Sequence, residues 1–346
     1  AQTSKITVNF YKIARSLLFK LDAESAHDIS INGLRLMQGA GLTPLLTPKL
    51  PNKPIKVMGL SFPNRVGLAA GLDKAGQCIN GFGAMGFGFI EVGTITPRPQ
   101  SGNPKPRLFR LKEHEAIINR MGFNNPGIDD AIENVIKSSK GYEGIVGINI
   151  GKNKVTPNAK ALDDYMKCLR SSYCIADYIT VNVSSPNTSG LRELQSPEFA
   201  RKLISPLMKE RDILCDRYEK RVPIAVKLDP DMQNEQIRAL AELFLELKVD
   251  AVIATNTTVS RTNVKNHRLS NELGGLSGRP IHSQSNEAIF NFKNSLSDEI
   301  PIIGVGGIFS KKDAEEKIEA GAKLIQIYTG LIYRGPSLIK ELVELT

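Results

Sequence analysis

The sequence predicts an α/β protein, a (β/α)8 TIM barrel with an N-terminal helical hairpin extension. Three observations predict it. Eight short, mostly apolar runs are bounded by Gly, Pro or polar residues, helical or capping patterns separate most of them, and polar residues follow nearly every run. The 346 residues suit one large barrel with an extension or two smaller domains. Eight β-α units favour the barrel, with a doubly wound open sheet as the structural alternative.

Residues 1–42 read as the helical extension. In residues 8–21, Phe10, Ile13, Ala14, Leu17, Leu18 and Leu21 share one helical stripe, with Lys12 and Arg15 off it. Asp22 suits the N-cap of a second helix carrying Ala26, His27, Ile29, Leu34 and Met37. Such a hairpin fits a membrane interface or plain docking on the main domain, and pattern alone favours docking. Residues 43–54 carry proline at 44, 48, 51 and 54, which predicts a connector without regular structure.

Residues 55–346 then hold the barrel. After a short hairpin at 57–62, strands are predicted at 65–70, 88–93, 145–150, 178–183, 223–228, 251–255, 301–306 and 323–328. The clearest intervening helices are 234–248, with Ile237, Leu240, Ala241, Phe244 and Leu247 on one face, and 311–320, capped by Ser310.

Composition narrows the function. Hydrophobic residues at 41% and charged residues at 23% describe a folded chain, and no run of eighteen apolar residues spans a membrane. The net charge of +9 suits an anionic ligand or an anionic surface. Nucleic acid is not expected, since there is no Trp, no basic run and no Cys/His finger spacing. Cys78, Cys168, Cys174 and Cys215 form no CxxC pair, so neither a metal site nor a disulfide framework is indicated.

In a barrel the residues that follow the strands share one rim. Here they are Gly71 and Lys74, Thr94, Asn149, Asn182 with Ser185 and Asn187, Lys227, and Thr255 to Thr257. Strand alternation points Asn149, Asn182 and Lys227 inward. Gly304-Val-Gly-Gly307 and Thr329-Gly330, after the last two strands, form the pattern that binds phosphate through backbone N–H groups. Lys74 and Lys227 admit either Schiff-base chemistry or plain cationic stabilisation, and the many amides, which read both donors and acceptors, favour the second with a planar heterocycle.

These residues fall in motifs that resemble the quinone-dependent (class 2) dihydroorotate dehydrogenases over essentially the whole length. The matching stretches are GLAAGLDK at 67–74, EVGTITP at 91–97, NRMGFN at 119–124, GINIGKN at 147–153 and NVSSPN at 182–187. They continue with VK at 226–227, ATNTT at 254–258, GGLSGRP at 274–280 and IGVGG at 303–307. The resemblance implies oxidation of (S)-dihydroorotate to orotate in pyrimidine biosynthesis, one FMN per chain, and reoxidation by a membrane quinone.

Carried over by position, it implies that Ala70, Gly71, Lys74, Thr94, Asn149, Asn182, Lys227, Thr255, Gly278, Gly307, Tyr328 and Thr329 bind FMN. Lys74, Asn119, Arg120, Met121, Gly122, Phe123, Asn182, Asn187, Asn256 and Thr257 are expected to hold dihydroorotate or orotate. Ser185 is the implied base, with Thr188 as a proton outlet and Phe123 closing the site. Serine rather than cysteine at 185 departs from class 1. The stretch ESAH at 24–27 matches as well, so His27, Arg110 and Tyr328 are expected to line a quinone passage. The resemblance further implies that the extension rests on lipid, overturning plain docking. The expected enzyme is a metal-free monomer, peripheral on the cytoplasmic face of a bacterial inner membrane.

Overall fold

The computed structural model describes residues 11–51 and 53–345. A two-stranded antiparallel hairpin, β1 (Ile55–Val57) and β2 (Leu60–Phe62), precedes β3 (Val66–Leu68) and β4 (Phe89–Ile95). The chain then makes β5 (Leu108–Leu111) and β6 (Ala116–Asn119), followed by β7 (Ile145–Ile150), β8 (Tyr178–Asn182), β9 (Ile224–Leu228) and β10 (Ala251–Ala254). It ends with β11 (Gly275–Gly278), β12 (Ile302–Val305) and β13 (Ala322–Ile327). Strands β3, β4, β7, β8, β9, β10, β12 and β13 close a parallel barrel, and all eight lie on or within the predicted runs apart from one or two terminal residues. The open-sheet alternative is thereby removed.

The predicted helices 234–248 and 311–320 are present as Asn234–Leu247 and Lys311–Glu319, and Ser310 Oγ accepts from the Asp313 N–H as expected of a cap. Strands β5, β6 and β11 have no counterpart among the predicted runs. They form a separate antiparallel sheet that bridges two distant excursions of the chain over the barrel mouth.

Inside the barrel, side chains fill layers from the closed end upward. Phe62, from the β1–β2 hairpin, meets Phe89 edge-on at 5.2 Å, and Phe89 meets Tyr178 at 6.5 Å. Glycine makes room for these rings: a Cβ on Gly67 would lie 2.2 Å from the Phe89 ring, and one on Gly147 equally close to Tyr178. The hairpin thus plugs one end, and polar chemistry is confined to the other.

In the extension, residues 11–18 are helical, while the expected start at residues 8–10 lies outside the described residues. The second helix is Ala23–Gly39, capped by Asp22 Oδ1 at 3.0 Å from the Glu24 N–H. Residues 43–54 are not wholly irregular, since Thr43–Leu46 form a 3-10 turn. Pro44 sits at its start, where the fixed φ suits a first helical turn and the missing N–H costs nothing.

Buried charge ties this extension to the barrel. Arg107 donates to Glu24 through Nη2 at 2.8 Å and Nε at 3.2 Å, with both side chains almost fully enclosed. Tyr11 Oη donates to the Ile332 carbonyl at 2.8 Å, and Phe19 packs edge-on against Tyr333 at 5.3 Å. Outward, the extension exposes Ile13 (63%), Leu17 (60%) and Leu36 (71%), and the connector exposes Leu45 (76%).

Candidate active site

The site is built on a buried carboxylate. Glu91, on β4, is fully enclosed in the barrel; its Oε2 accepts from Tyr178 Oη at 2.9 Å, Thr180 Oγ1 at 3.2 Å and Gln326 Nε2 at 2.8 Å. Its Oε1 accepts from Asn149 Nδ2 at 2.8 Å and faces Lys227 Nζ at 3.8 Å. Burial lowers the Lys227 ammonium from its ordinary value, and the Glu91 charge opposes that shift.

From this layer a relay of amides climbs to the rim. Thr94 Oγ1 donates to Asn149 Oδ1 at 2.6 Å and accepts from Asn182 Nδ2 at 2.8 Å. Asn182 Oδ1 accepts from Ser184 Oγ at 3.1 Å, and Ser184 Oγ accepts from Asn256 Nδ2 at 3.0 Å. Each amide is therefore held in one orientation by its neighbour.

Above the relay lies a cavity whose walls come from five barrel strands, the segments that follow β3 and β10, and the accessory sheet. Thr94, Asn182, Lys227 and Thr255 floor it, and Ala70, Gly71 and Lys74 form one side. Asn119, Met121, Gly122 and Phe123 come from the β6 excursion; Ser185, Asn187, Asn256 and Thr257 lie opposite. Gly278, Gly307, Tyr328 and Thr329 complete it. Ser185 Oγ accepts the Asn187 N–H at 3.2 Å, and Asn187 Nδ2 donates to Asn119 Oδ1 at 3.2 Å. Phe123 is seated because Gly151 carries no side chain, as a Cβ there would lie 3.2 Å from its ring.

Several buried groups in this cavity lack partners. Thr255 Oγ1 and Thr257 Oγ1 have none, and the N–H groups of Gly306, Gly307 and Ile308 have no acceptor among the described residues. Gly278, at φ +99°, admits no side chain, since a Cβ would meet the Glu115 carbonyl at 2.3 Å. Burial brings Lys74 down from 10.5 to about 8, partly offset by the Glu24 and Asp28 charges.

Three predicted residues do not line the cavity. Asn149 lies one layer below it, behind Thr94. Thr188 is buried with an unpartnered Oγ1. Arg120 turns outward, its Nη1 on Glu272 at 2.6 Å and its guanidinium stacked 4.6 Å over Phe109.

A second, apolar cavity lies between the extension and the barrel. His27, Arg110 and Tyr328 line it together with Leu18, Phe19 and Leu331, so the three residues expected at a quinone passage do meet. Tyr328 lines both cavities. Arg110 is stacked 4.7 Å over Phe19 and donates to the Leu18 carbonyl at 3.2 Å and to that of Leu21. Burial, assisted by the Lys74 charge, drives His27 down to about 3, so this wall is uncharged imidazole at neutral pH.

Residues 54–345 match the family model described as "Dihydroorotate dehydrogenase". The chain belongs to the dihydroorotate dehydrogenase family. It is 53% identical over 334 residues to the dihydroorotate dehydrogenase (quinone) of Aliivibrio fischeri, covering 96% of this chain and 99% of that one. To the enzyme of the same name from Stenotrophomonas maltophilia it is also 53% identical, covering 96% and 95%. The crystal structure of the Eimeria tenella enzyme in complex with ferulenol superimposes with a TM-score of 0.85 at 37% identity, covering 93% of this chain and 90% of that one.

For a dihydroorotate dehydrogenase of this sequence, two residues outside the predicted set matter to the geometry. Glu91 anchors the relay, and its signals in the sequence are a lone acid in an otherwise apolar run and its place at the head of the EVGTITP stretch. Arg192 clamps the loop that bears Ser185: Nε donates to the Ser184 carbonyl at 3.2 Å and Nη2 to the Thr257 carbonyl at 2.8 Å, while Nη1 pairs with Asp231 at 2.8 Å.

Proposed function

We propose that the chain oxidises (S)-dihydroorotate to orotate, with FMN held in the rim cavity and a quinone received in the second one. The observation that carries this reading is the convergence in one cavity of a serine hydroxyl, two ammonium groups and four asparagine amides, with Tyr328 lining both it and an apolar cavity. The partnerless groups fit FMN: free N–H groups at Gly306 to Ile308 suit a phosphate, and Lys227 and Thr255 suit a ring that gains negative charge. When bound, FMN supplies the acceptor for the hydride and passes the electrons on to the quinone.

Lys74 then faces the substrate carboxylate, and Asn119, Asn187 and Asn256 meet the donors and acceptors of a dihydropyrimidine ring. Thr257 and the Asn182 amide border the same ring. Ser185 takes the ring proton. Its Oγ already accepts the Asn187 N–H, which supports negative charge on the oxygen. A serine hydroxyl is a weak base, so the proton must move on, and the buried, unpartnered Thr188 Oγ1 is the next carrier. Phe123 shields this transfer from bulk water.

His27, Arg110 and Tyr328 form the quinone wall, and the exposed apolar face of the extension rests on lipid. On this reading the protein is peripheral to the membrane, consistent with no helix among the described residues being long and apolar enough to cross it.

Anaerobic addition of dihydroorotate to the purified protein is expected to bleach a flavin absorption band. Ser185→Ala is expected to retain the flavin and to slow bleaching by at least about a hundredfold. Bleaching at the unmodified rate in that variant sinks the base assignment, and a colourless protein sinks the cofactor assignment.

A further inference from the structure

Behind the glycine turn that follows β12 sits a lysine unused by the chemistry above. Lys317, on helix Lys311–Glu319, is 0% exposed, and its Nζ donates to Asn286 Oδ1 at 2.7 Å and to Ser285 Oγ at 3.0 Å. Among the described residues no carboxylate lies within ion-pair distance of it. Burial pushes its ammonium from 10.5 down to about 7, and the Asp313 and Glu316 charges only partly resist this. A buried cation with neutral partners is costly unless an anion lies near.

Its neighbours grip the turn from the rear. Ser285 Oγ donates to the Val305 carbonyl at 2.6 Å, which also accepts the Thr255 N–H at 2.9 Å, and His282 Nδ1 lies 3.0 Å from the Gly307 carbonyl while its Nε2 lies 2.7 Å from Glu316 Oε2. Gly304 leaves space for the lysine stem, since a Cβ there would lie 2.7 Å from Lys317 Cγ. In a planar trans peptide the C=O and N–H point in opposite directions. Held by the Thr255 N–H along the sheet and by Ser285, the Val305 carbonyl turns the Gly306 N–H forward, and with its proton on Nδ1 His282 does the same for Ile308 through the Gly307 carbonyl. Both N–H groups belong to residues lining the rim cavity and have no acceptor among the described residues.

We propose that Lys317 is a positioning residue for the phosphate end of the flavin: through Ser285 it reinforces, beside the Thr255 N–H, the forward direction of the Gly306 N–H, and its charge, behind the turn, offsets that of the phosphate. The donor chain Lys317 to Ser285 to Val305 also polarises the peptide whose N–H faces the ligand. This inference rests on the reading of FMN in the rim cavity.

The test compares FMN with riboflavin, which lacks the phosphate. Flavin is removed reversibly from the holoprotein, and each ligand is titrated back by fluorescence quenching. Lys317→Met, close in shape and without charge, is expected to weaken FMN by about tenfold to a hundredfold and riboflavin by less than about threefold. Ser285→Ala is expected to weaken FMN selectively by about threefold to tenfold, and it carries the test should Lys317→Met not fold. Equal losses for both ligands, or an unchanged FMN affinity, overturn the proposal. If the unmodified protein binds neither ligand, the cavity reading itself fails, and the inference falls with it.

Discussion

Replacing Glu91 with glutamine tests whether the buried carboxylate organises the site. In Glu91→Gln the new amide keeps one acceptor oxygen. If that oxygen stays with Tyr178, Thr180 and Gln326, the new NH2 faces Asn149 Nδ2, donor against donor. Asn149 can answer only by flipping, which costs it the bond from Thr94. Lys227 meanwhile loses its only ion-pair partner among the described residues while remaining buried. Breaking a buried pair from one side costs about 3–5 kcal/mol. A barrel of about 290 residues has an unfolding entropy near 0.6 kcal/mol/K at about 2.1 cal/mol/K per residue, so the expected drop in Tm is about 5–8 °C. Calorimetry of flavin-free protein at a fixed scan rate measures it. Adding Lys227→Met removes the stranded cation and is expected to recover at least half of the loss. A drop under about 2 °C, or no recovery in the double variant, refutes the reasoning.

Three further outcomes follow from the site geometry. Lys74 in the folded protein titrates at about 8, so its charge is present below that pH and disappears above it. Orotate affinity, followed by titration, is expected to fall about tenfold per pH unit above about 8 and to become flat in Lys74→Met. For stability, burial lowers the folded pKa below the unfolded value of 10.5, so protonation favours the unfolded chain. The penalty from this group is therefore full below about 8 and is relieved as pH rises to 10.5, so its contribution to stability rises across that window. Arg192→Lys removes the fork that spans the Ser184 and Thr257 carbonyls, and is expected to lower kcat about tenfold to a hundredfold while flavin content stays unchanged. A parallel loss of flavin shows that Arg192 supports the whole rim rather than the serine loop.

The barrel was legible because parallel strands buried on both faces read as apolar runs, and helix starts were legible through Asp22 and Ser310. Strand β11 was not, since Gly275–Gly278 has no alternating pattern and pairs with β6, far away in sequence. Position-by-position transfer of Arg120 met the end of a strand. Asn119 ends β6 and lines the cavity, whereas Arg120, just past the strand, turns to Glu272. Asn149 faces inward as alternation requires, with its amide bonded to Glu91 on one side and Thr94 on the other. Glu91 stood in a matching stretch without a role, and Arg192 in none, because their importance lies in what they hold.

The shared position of Tyr328 carries its own consequence. One phenol ring belongs to two walls, one facing amides and ammonium groups, the other facing aliphatic side chains. Any occupant that shifts the ring on one side alters the fit on the other, and by linkage the influence is equal in both directions. Evolution or design therefore cannot tune either occupant's affinity at this residue independently, and substitutions at 328 will register in two measurements at once.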